Sequence, residues 1–381
     1  MTTPLQHLTE LGQSPWFDNI RRSFITSGRL SALMESGIRG VTVNPTIFEK
    51  AILDSNDYDL AIQDLLARGA GPSEIYERLL LEDIRAAADL FRPLYDRTEG
   101  GDGYVSIEVS PGLAHDTVAS VAEARRFRRA LNRPNVMIKI PATQEGMPAI
   151  RQLIGEGINI NVTLIFAVAS YEQVMAAYLD GLDQLVADGK PLEKVASVAS
   201  FFVSRVDTEV DKRLDTLIAA EPEKGRREEL EALRGTAAVA NARIAYQHFL
   251  TVFTGERFAA LRERGARVQR PLWASTGTKD PAYSDVKYVE ELIGPDTVTT
   301  LPRATIDAFQ DHGRAVRAID RNIDDAYRTF DRLESAGISM EEVTDSLLDK
   351  GVASFVAALE QLETAIRRKQ GVLLAGQARR E

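Results

Sequence analysis

The chain has 381 residues, of which 44% are hydrophobic and 27% charged, a composition typical of a globular protein. Its 46 basic and 56 acidic residues give a formal net charge of −10, which argues against nucleic-acid and anionic-membrane partners. It contains no cysteine, so disulfides, thiolate nucleophiles and cysteine-ligated metal sites are excluded.

The N-terminal stretch and the spacing of the histidines indicate whether to expect a secreted, membrane-spanning or metal-binding protein. The first residues lack a basic segment followed by an apolar core, and no run of ~18 apolar residues follows, so we expect neither a secretory signal nor a membrane span. A cytoplasmic location is the default expectation. The four histidines are scattered without HxxxH or HExxH spacing, so we expect no metal site: His7, His115, His248 and His312.

Eight short apolar segments along the chain are predicted as strands. In chain order they are WFDNI (16–20), VTVN (41–44), VSIEV (105–109), VMIKI (136–140), ININ (158–161), ASVASFF (196–202), PLWAS (271–275) and VTTL (298–301). Helical patterns separate nearly all of them, including residues 73–93, 117–131, 146–155 and 170–187.

A β-then-α alternation repeated eight times predicts a (β/α)8 barrel. No Pro/Gly/Ser-rich linker divides residues 1–381, so we predict a single barrel domain with a helical insert at about 208–267 and C-terminal helices at about 303–370. A doubly wound open sheet is the alternative, which the eight units and the absence of a Gly-rich first turn disfavour.

The fourth predicted strand, in the segment NVMIKIPAT (135–143), carries a lysine near its exit. The apolar run around Lys139 predicts a strand buried on both faces. Burial favours the neutral amine, which is the form that attacks a carbonyl carbon. The alternative is that Lys139 extends its ammonium group into solvent.

Polar residues also stand at or just beyond the other predicted strand ends: Asp18, Asn44, Glu108, Asn161, Thr163, Ser200, Arg205 and Ser275. Each has a simpler explanation, such as helix capping for Asp18, a turn at Asn44, or a surface ion pair between Arg205 and Asp207. Because the carboxyl ends of barrel strands meet at one face, their joint occurrence favours one shared pocket.

A lysine with two nearby carboxylates and no metal site indicates imine catalysis. The amine attacks a carbonyl, a carboxylic group moves protons, and the resulting imine accepts electrons when an adjacent C–C bond breaks. Arg205 and the loop STGTK after the seventh strand would hold an anionic group of the substrate, most simply a phosphate.

Six segments in this order resemble the transaldolase family, in its longer bacterial form, across residues 18–302. They are GVTVNPTIFEKAI, VSIEVSPGLAHDT, VMIKIPATQEGMPAI, GININVTLIF, SFFVSRVD and LWASTGTKDP. The resemblance implies transfer of a dihydroxyacetone unit from sedoheptulose 7-phosphate to glyceraldehyde 3-phosphate in the non-oxidative pentose phosphate pathway. It implies phosphorylated sugars as the binding partners and no cofactor, and we expect a monomer or homodimer.

The resemblance also implies roles for individual residues. Lys139 matches the Schiff-base lysine, Glu108 the carboxylate that acts through a water, and Thr163 a residue that helps to place that water. Asp18 matches the carboxylate that takes the hydroxyl proton during C–C cleavage. The substrate-binding set comprises Asn44, Asn161, Ser200, Arg205, Ser275 and Lys279, where Lys279 stands in for a second phosphate-binding arginine of shorter transaldolases.

Three other functions remain open from the sequence. A related imine enzyme would release the three-carbon unit as a free product, but that branch has a tyrosine where this chain has Phe202. A barrel that binds phosphosugars without chemistry is the second. A pyridoxal-phosphate lysine is the third, and the absence of a Gly-rich phosphate-binding segment near Lys139 disfavours it.

Overall fold

The eight strands form a closed, all-parallel barrel in the computed structural model, which describes the backbone of residues 2–377 and the side chains of residues 2–369. Each strand pairs with the next along the chain and the eighth pairs with the first, which confirms the predicted α/β barrel. The strands are β1 (Gln13–Phe17), β2 (Val41–Thr42), β3 (Val105–Glu108), β4 (Val136–Pro141), β5 (Ile160–Ile165), β6 (Ser197–Phe202), β7 (Arg270–Ala274) and β8 (Thr297–Leu301).

Helices surround the barrel and extend the chain beyond it. Within the described residues they are α1 (Pro4–Glu10), α2 (Arg22–Thr26), α3 (Arg29–Glu35), α4 (Pro45–Leu53), α5 (Asp59–Ala67), α6 (Pro72–Arg97), α7 (Thr117–Leu131), α8 (Gly146–Gly155), α9 (Val168–Ala187), α10 (Ser204–Ala220), α11 (Lys224–Glu231), α12 (Ala237–Thr254), α13 (Glu256–Arg262), α14 (Lys287–Glu290), α15 (Arg303–His312), α16 (Ile323–Ser335) and α17 (Met340–Gln377). A 3-10 turn, Pro111–Leu113, follows β3.

The first strand begins and ends three residues earlier than predicted. Gln13 and Ser14 look like loop residues because they are polar, but both are buried and hydrogen-bonded at the base of the barrel. The Gln13 side-chain amide donates to the Leu292 carbonyl at 2.7 Å, and the Ser14 hydroxyl donates to Asp102 at 2.6 Å. The strand therefore stops at Phe17, and Asp18 is the first residue beyond it.

The second strand was predicted too long, and the helix after it was not predicted. β2 ends at Thr42, and Asn44 is the N-cap of α4, with its side-chain oxygen accepting from the Ile47 amide at 3.0 Å. Pro45 occupies the first helical turn, where its missing N–H carries no penalty. The Asn-Pro pair thus begins a helix.

The fifth strand extends four residues past the predicted end at Asn161. The strand continues to Ile165, with an irregularity in its pairing to β6 between Val162 and Ile165. Leu164 in this irregular segment has φ of 59°, a backbone conformation that branched side chains rarely adopt. Thr163 is therefore held in the strand immediately before a strained residue.

The helices between β6 and β7 occupy the predicted insert, and α15 to α17 occupy the C-terminal region, with a non-helical segment at 313–322. The division into one barrel domain with these additions stays a prediction. Helix α17 packs against α4, α5, α6, α10, the 3-10 turn and β5. Because α4, the 3-10 turn and α10 directly follow strands, α17 runs across the carboxyl end of the barrel. Among the described residues, no helix combines the length and the apolar character needed to cross a bilayer.

Candidate active site

Lys139 and Glu108 form a buried pair at the carboxyl end of neighbouring strands. They are directly opposite each other in the register of β3 and β4. The Lys139 amine donates to Glu108 Oε2 at 2.9 Å and to the Val43 carbonyl at 3.2 Å. Lys139 is only 4% exposed, so the alternative in which its amine extends into solvent is wrong.

The Glu108 carboxyl group is poised to exchange protons. Burial raises its pKa above the ordinary value, and the adjacent Lys139 opposes that rise. Its second oxygen, Oε1, and the hydroxyl of Thr163 are both buried without a hydrogen-bond partner among the described residues. Unpaired buried polar atoms are costly, which marks both atoms as available to a substrate or a water.

Asp18 forms the second carboxylate of the site, directly after β1. The Thr42 hydroxyl donates to Asp18 Oδ1 at 2.8 Å. Burial raises the pKa of Asp18, while the Thr42 hydrogen bond and the positive charges of Lys139, Arg205 and Lys279 oppose that rise. The capping role considered for Asp18 does not apply to α2, whose N-cap is Arg21.

Amide and hydroxyl groups on β3, β5 and β6 form a buried hydrogen-bond chain. The Asn161 amide donates to Ser106 Oγ at 3.0 Å, and the Ser200 hydroxyl donates to Asn161 Oδ1 at 2.7 Å. Asn161 is also opposite Lys139 in the register of β4 and β5. This chain holds the amide in one orientation beside the lysine.

Arg205 provides a half-buried cation in the first turn of α10. Its guanidinium lies over the Phe202 ring, 5.1 Å from the ring centroid. Burial lowers its pKa, and the carboxylates of Asp18 and Glu108 oppose that shift. Asp207 does not engage it as a surface partner, since Asp207 is buried and accepts hydrogen bonds from Ala238 and Tyr288.

Ser275 and Lys279 lie in the loop after β7. Ser275 has φ of 57°, and its hydroxyl is 3.0 Å from that of Ser204, which begins α10. The far end of the loop is tied to the same helix, because the Tyr283 hydroxyl donates to Asp211 at 2.7 Å. Helix α10 therefore holds the loop that carries Lys279.

One cavity of about 170 Å³ brings these side chains together. Eight of the ten candidate residues line it: Asp18, Asn44, Lys139, Thr163, Ser200, Arg205, Ser275 and Lys279. Glu108 and Asn161 do not line the cavity, but each is hydrogen-bonded to a residue that does: Glu108 to Lys139 and Asn161 to Ser200. The structure thus assembles all ten at the carboxyl end of the barrel.

Sequence reasoning missed Thr42 and Thr300, which also line the cavity. Both are ordinary strand residues, and β-propensity alone accounts for a threonine there. Their position at the carboxyl ends of β2 and β8 is the only sequence signal that could have singled them out.

A larger cavity lies elsewhere in the described residues. It measures about 780 Å³ and is an outer groove between α8 and α9, with none of the candidate residues in its lining. No group of three or more metal-ligating side chains occurs within the described residues. Chemistry rather than size therefore identifies the smaller cavity as the candidate site.

Comparison with known proteins identifies the family. Residues 15–366 match the family described as Transaldolase/Fructose-6-phosphate aldolase. The chain belongs to this family. Among similar curated proteins, the transaldolase of Thermobifida fusca is 49% identical over 364 residues, 95% of this chain and 97% of that protein.

Two further relatives have comparable similarity and coverage. Transaldolase 2 of a Nostoc species is 46% identical over 97% of this chain and 98% of its own length. Transaldolase 1 of Streptomyces coelicolor is 49% identical over 96% of this chain and 94% of its own length. The resemblance to the longer transaldolases noted from six motifs is confirmed over nearly the whole chain.

Proposed function

We propose that this member of the transaldolase family transfers a dihydroxyacetone unit from sedoheptulose 7-phosphate to glyceraldehyde 3-phosphate. The products are erythrose 4-phosphate and fructose 6-phosphate. The observation that carries the proposal is the buried Lys139 amine 2.9 Å from Glu108, in a cavity also lined by Asp18 and Arg205. A cytoplasmic location and a monomeric or homodimeric state stay predictions.

Lys139 is the proposed nucleophile. A carboxyl group with a raised pKa can take the proton from the neighbouring ammonium group, which leaves the amine free to attack the C2 carbonyl of the ketose. The carbinolamine then loses its hydroxyl group as water, with Glu108 supplying the proton. The unpaired oxygen of Glu108 and the Thr163 hydroxyl support a water-mediated transfer at this step.

Asp18 is the proposed base for C–C cleavage. Its carboxylate takes the proton of the C4 hydroxyl group, the C3–C4 bond breaks, and the bonding electrons move into the imine to give an enamine on Lys139. The aldose leaves and the acceptor aldehyde takes its place. The enamine carbon attacks the aldehyde carbon, Asp18 returns the proton to the new hydroxyl group, and water releases the product.

The remaining residues are proposed to hold the sugar. Asn44, Asn161 and Ser200 present amide and hydroxyl groups to the dihydroxyacetone unit. Ser275 contributes a further hydroxyl group. Arg205 and Lys279 present positive charge for the phosphate, and the guanidinium of Arg205 matches phosphate geometry with two parallel hydrogen bonds.

The test of the proposal is the intact mass of the protein after borohydride reduction with fructose 6-phosphate. We expect one sugar-derived increment on the wild-type chain, located on Lys139 by peptide mapping. A protein that binds phosphosugars without chemistry gives no increment, and that result would overturn the proposal.

The acid limb of the pH profile tests the role of Asp18. Because burial raises the pKa of Asp18, kcat/KM should fall with decreasing pH starting above the ordinary carboxylate value of about 4. Thr42→Val removes a hydrogen bond that favours the carboxylate, so the Asp18 pKa rises and the limb should move to higher pH.

Thr300→Val is the matched control for this pH measurement. Thr300 lines the same cavity, but its hydroxyl donates to the Trp273 carbonyl. Its substitution should leave the limb in place. A limb that stays fixed in Thr42→Val, or moves to lower pH, contradicts the assignment of Asp18 as the base.

Phe202 distinguishes transfer from simple cleavage. The ring lines the cavity without offering a proton, so the enamine survives until an aldehyde arrives. Phe202→Tyr places a hydroxyl group in the cavity, and we expect release of free dihydroxyacetone from fructose 6-phosphate alone to rise on the order of 10²-fold. An enzymatic assay for dihydroxyacetone measures this.

Phe166→Tyr is the control, because the ring centroids of Phe166 and Phe202 are 5.2 Å apart and Phe166 is not part of the cavity lining. It should leave release at the wild-type rate. Rapid release by the wild-type chain without an acceptor would instead favour a lyase related to fructose-6-phosphate aldolase.

A further inference from the structure

The C-terminal helix approaches the candidate site at one glycine. Gly351 of α17 is buried, and a Cβ atom built on it would lie 2.9 Å from Leu164 Cδ2 and 3.8 Å from Arg205 Nη1. Carbon atoms of real side chains essentially never come as close as 2.9 Å, so any larger residue must displace a neighbour. The missing side chain is what allows α17 to lie against these two residues.

Arg205 has a second packing contact besides α17. Its guanidinium rests over the Phe202 ring, 5.1 Å from the ring centroid. The residue before Gly351, Lys350, donates to Glu209 at 2.8 Å, one turn along α10 from Arg205. This ion pair connects α17 to the helix that carries the cation.

Leu164 has little freedom to yield. It is 1% exposed and has a positive φ in the irregular part of β5, directly after Thr163. Pressure from a Cβ atom at position 351 therefore falls on the Leu164 side chain and through it on the cavity wall. The 3.8 Å distance to Arg205 Nη1 is an ordinary van der Waals contact, so only a larger side chain such as valine presses on Arg205 directly. Side chains in a close-packed interior have few alternative positions.

We propose that Gly351 is a positioning residue that sets where the Arg205 guanidinium stands, and through it the affinity of the site for the phosphate of the sugar. The inference rests on the proposed function. Bidentate recognition of phosphate requires two aligned N–H groups, so a small displacement of the guanidinium weakens it while the imine chemistry at Lys139 continues.

The experiment measures borohydride-trapped adduct against donor concentration for Gly351→Ala and Gly351→Val. With fructose 6-phosphate, the half-saturating concentration in Gly351→Val should rise roughly tenfold, the effect of one weakened charge-assisted hydrogen bond, with a smaller rise in Gly351→Ala. The maximal trapping rate should be unchanged. With fructose, which lacks the phosphate, the half-saturating concentration should stay within about twofold.

Gly225 supplies the matched control, because it lies in helix α11 with only Glu223 near the position of a built Cβ, at 3.7 Å. Gly225→Ala and Gly225→Val change helix propensity in the same way and should leave both donors unaffected. Thermal unfolding of every variant identifies any that fails to fold, and Gly351→Ala, the smallest change, keeps the comparison available.

Two outcomes overturn the inference. An equal rise in the half-saturating concentration for fructose 6-phosphate and for fructose shows a general loosening of the site. An unchanged half-saturating concentration for both donors shows that Gly351 has no role. If the wild-type chain forms no adduct, the proposed function fails, and calorimetric titration with inorganic phosphate tests the inference separately. The dissociation constant of phosphate should still rise roughly tenfold in Gly351→Val, and an unchanged constant overturns the inference.

Discussion

Replacing Lys139 by methionine is expected to abolish sugar transfer, lowering kcat by about 10⁴-fold or more. Methionine fills much of the same volume in the buried strand but has no nucleophilic nitrogen, so the covalent route is lost. The positive charge of Lys139 holds the Glu108 pKa down against the effect of burial, so its removal should raise that pKa further. The carboxyl group should then become neutral, and the fold should survive. Coupled assays of fructose 6-phosphate formation and intact mass after borohydride both report the loss.

Lys279→Met is the control for this experiment, since Lys279 lines the same cavity on the loop after β7. It should still form the covalent adduct, with weaker binding of phosphorylated donors. An adduct that persists in Lys139→Met, or disappears in Lys279→Met, would mean that the nucleophile has been assigned to the wrong amine.

Asp18→Asn is expected to separate the two halves of the reaction. The amide keeps the shape of the side chain but cannot accept the hydroxyl proton, so kcat for transfer should fall on the order of 10² to 10⁴-fold. Imine formation does not require this base. Borohydride should therefore still trap the donor sugar on Lys139 at close to the wild-type rate.

Glu108→Gln is expected to slow formation of the imine instead of C–C cleavage, and it serves as the comparison for Asp18→Asn. Its carboxyl group is proposed to supply the proton for loss of water, so the trapped adduct itself should form slowly. If Asp18→Asn also slows trapping to the same extent, the two carboxylates do not divide the proton transfers as proposed.

The strand count and the face that carries the chemistry could be predicted because both follow from local patterns. An apolar run identifies each strand, and the carboxyl ends of barrel strands converge whatever the intervening helices do. That rule was enough to gather Asp18, Lys139 and Arg205 from three distant segments. The family resemblance added their roles, which geometry alone does not assign.

The errors have physical causes that a single sequence does not display. Gln13 and Ser14 look solvent-exposed, because their buried hydrogen-bond partners come from remote parts of the chain. Asn44 looks like a turn, because proline in the first helical position and proline in a loop have the same local signature. Gly351 resembles any other helical glycine until the helix is placed against Leu164.

The register of the barrel has a consequence for how this scaffold tolerates change. Glu108, Lys139 and Asn161 are successive partners across three hydrogen-bonded strands, so the interstrand spacing of the ladder sets their separations. The two cations proposed to bind the phosphate, Arg205 and Lys279, stand on α10 and on the β7 loop, outside that ladder. Redesigning those outer segments for a different aldehyde should therefore leave Glu108, Lys139 and Asn161 in alignment.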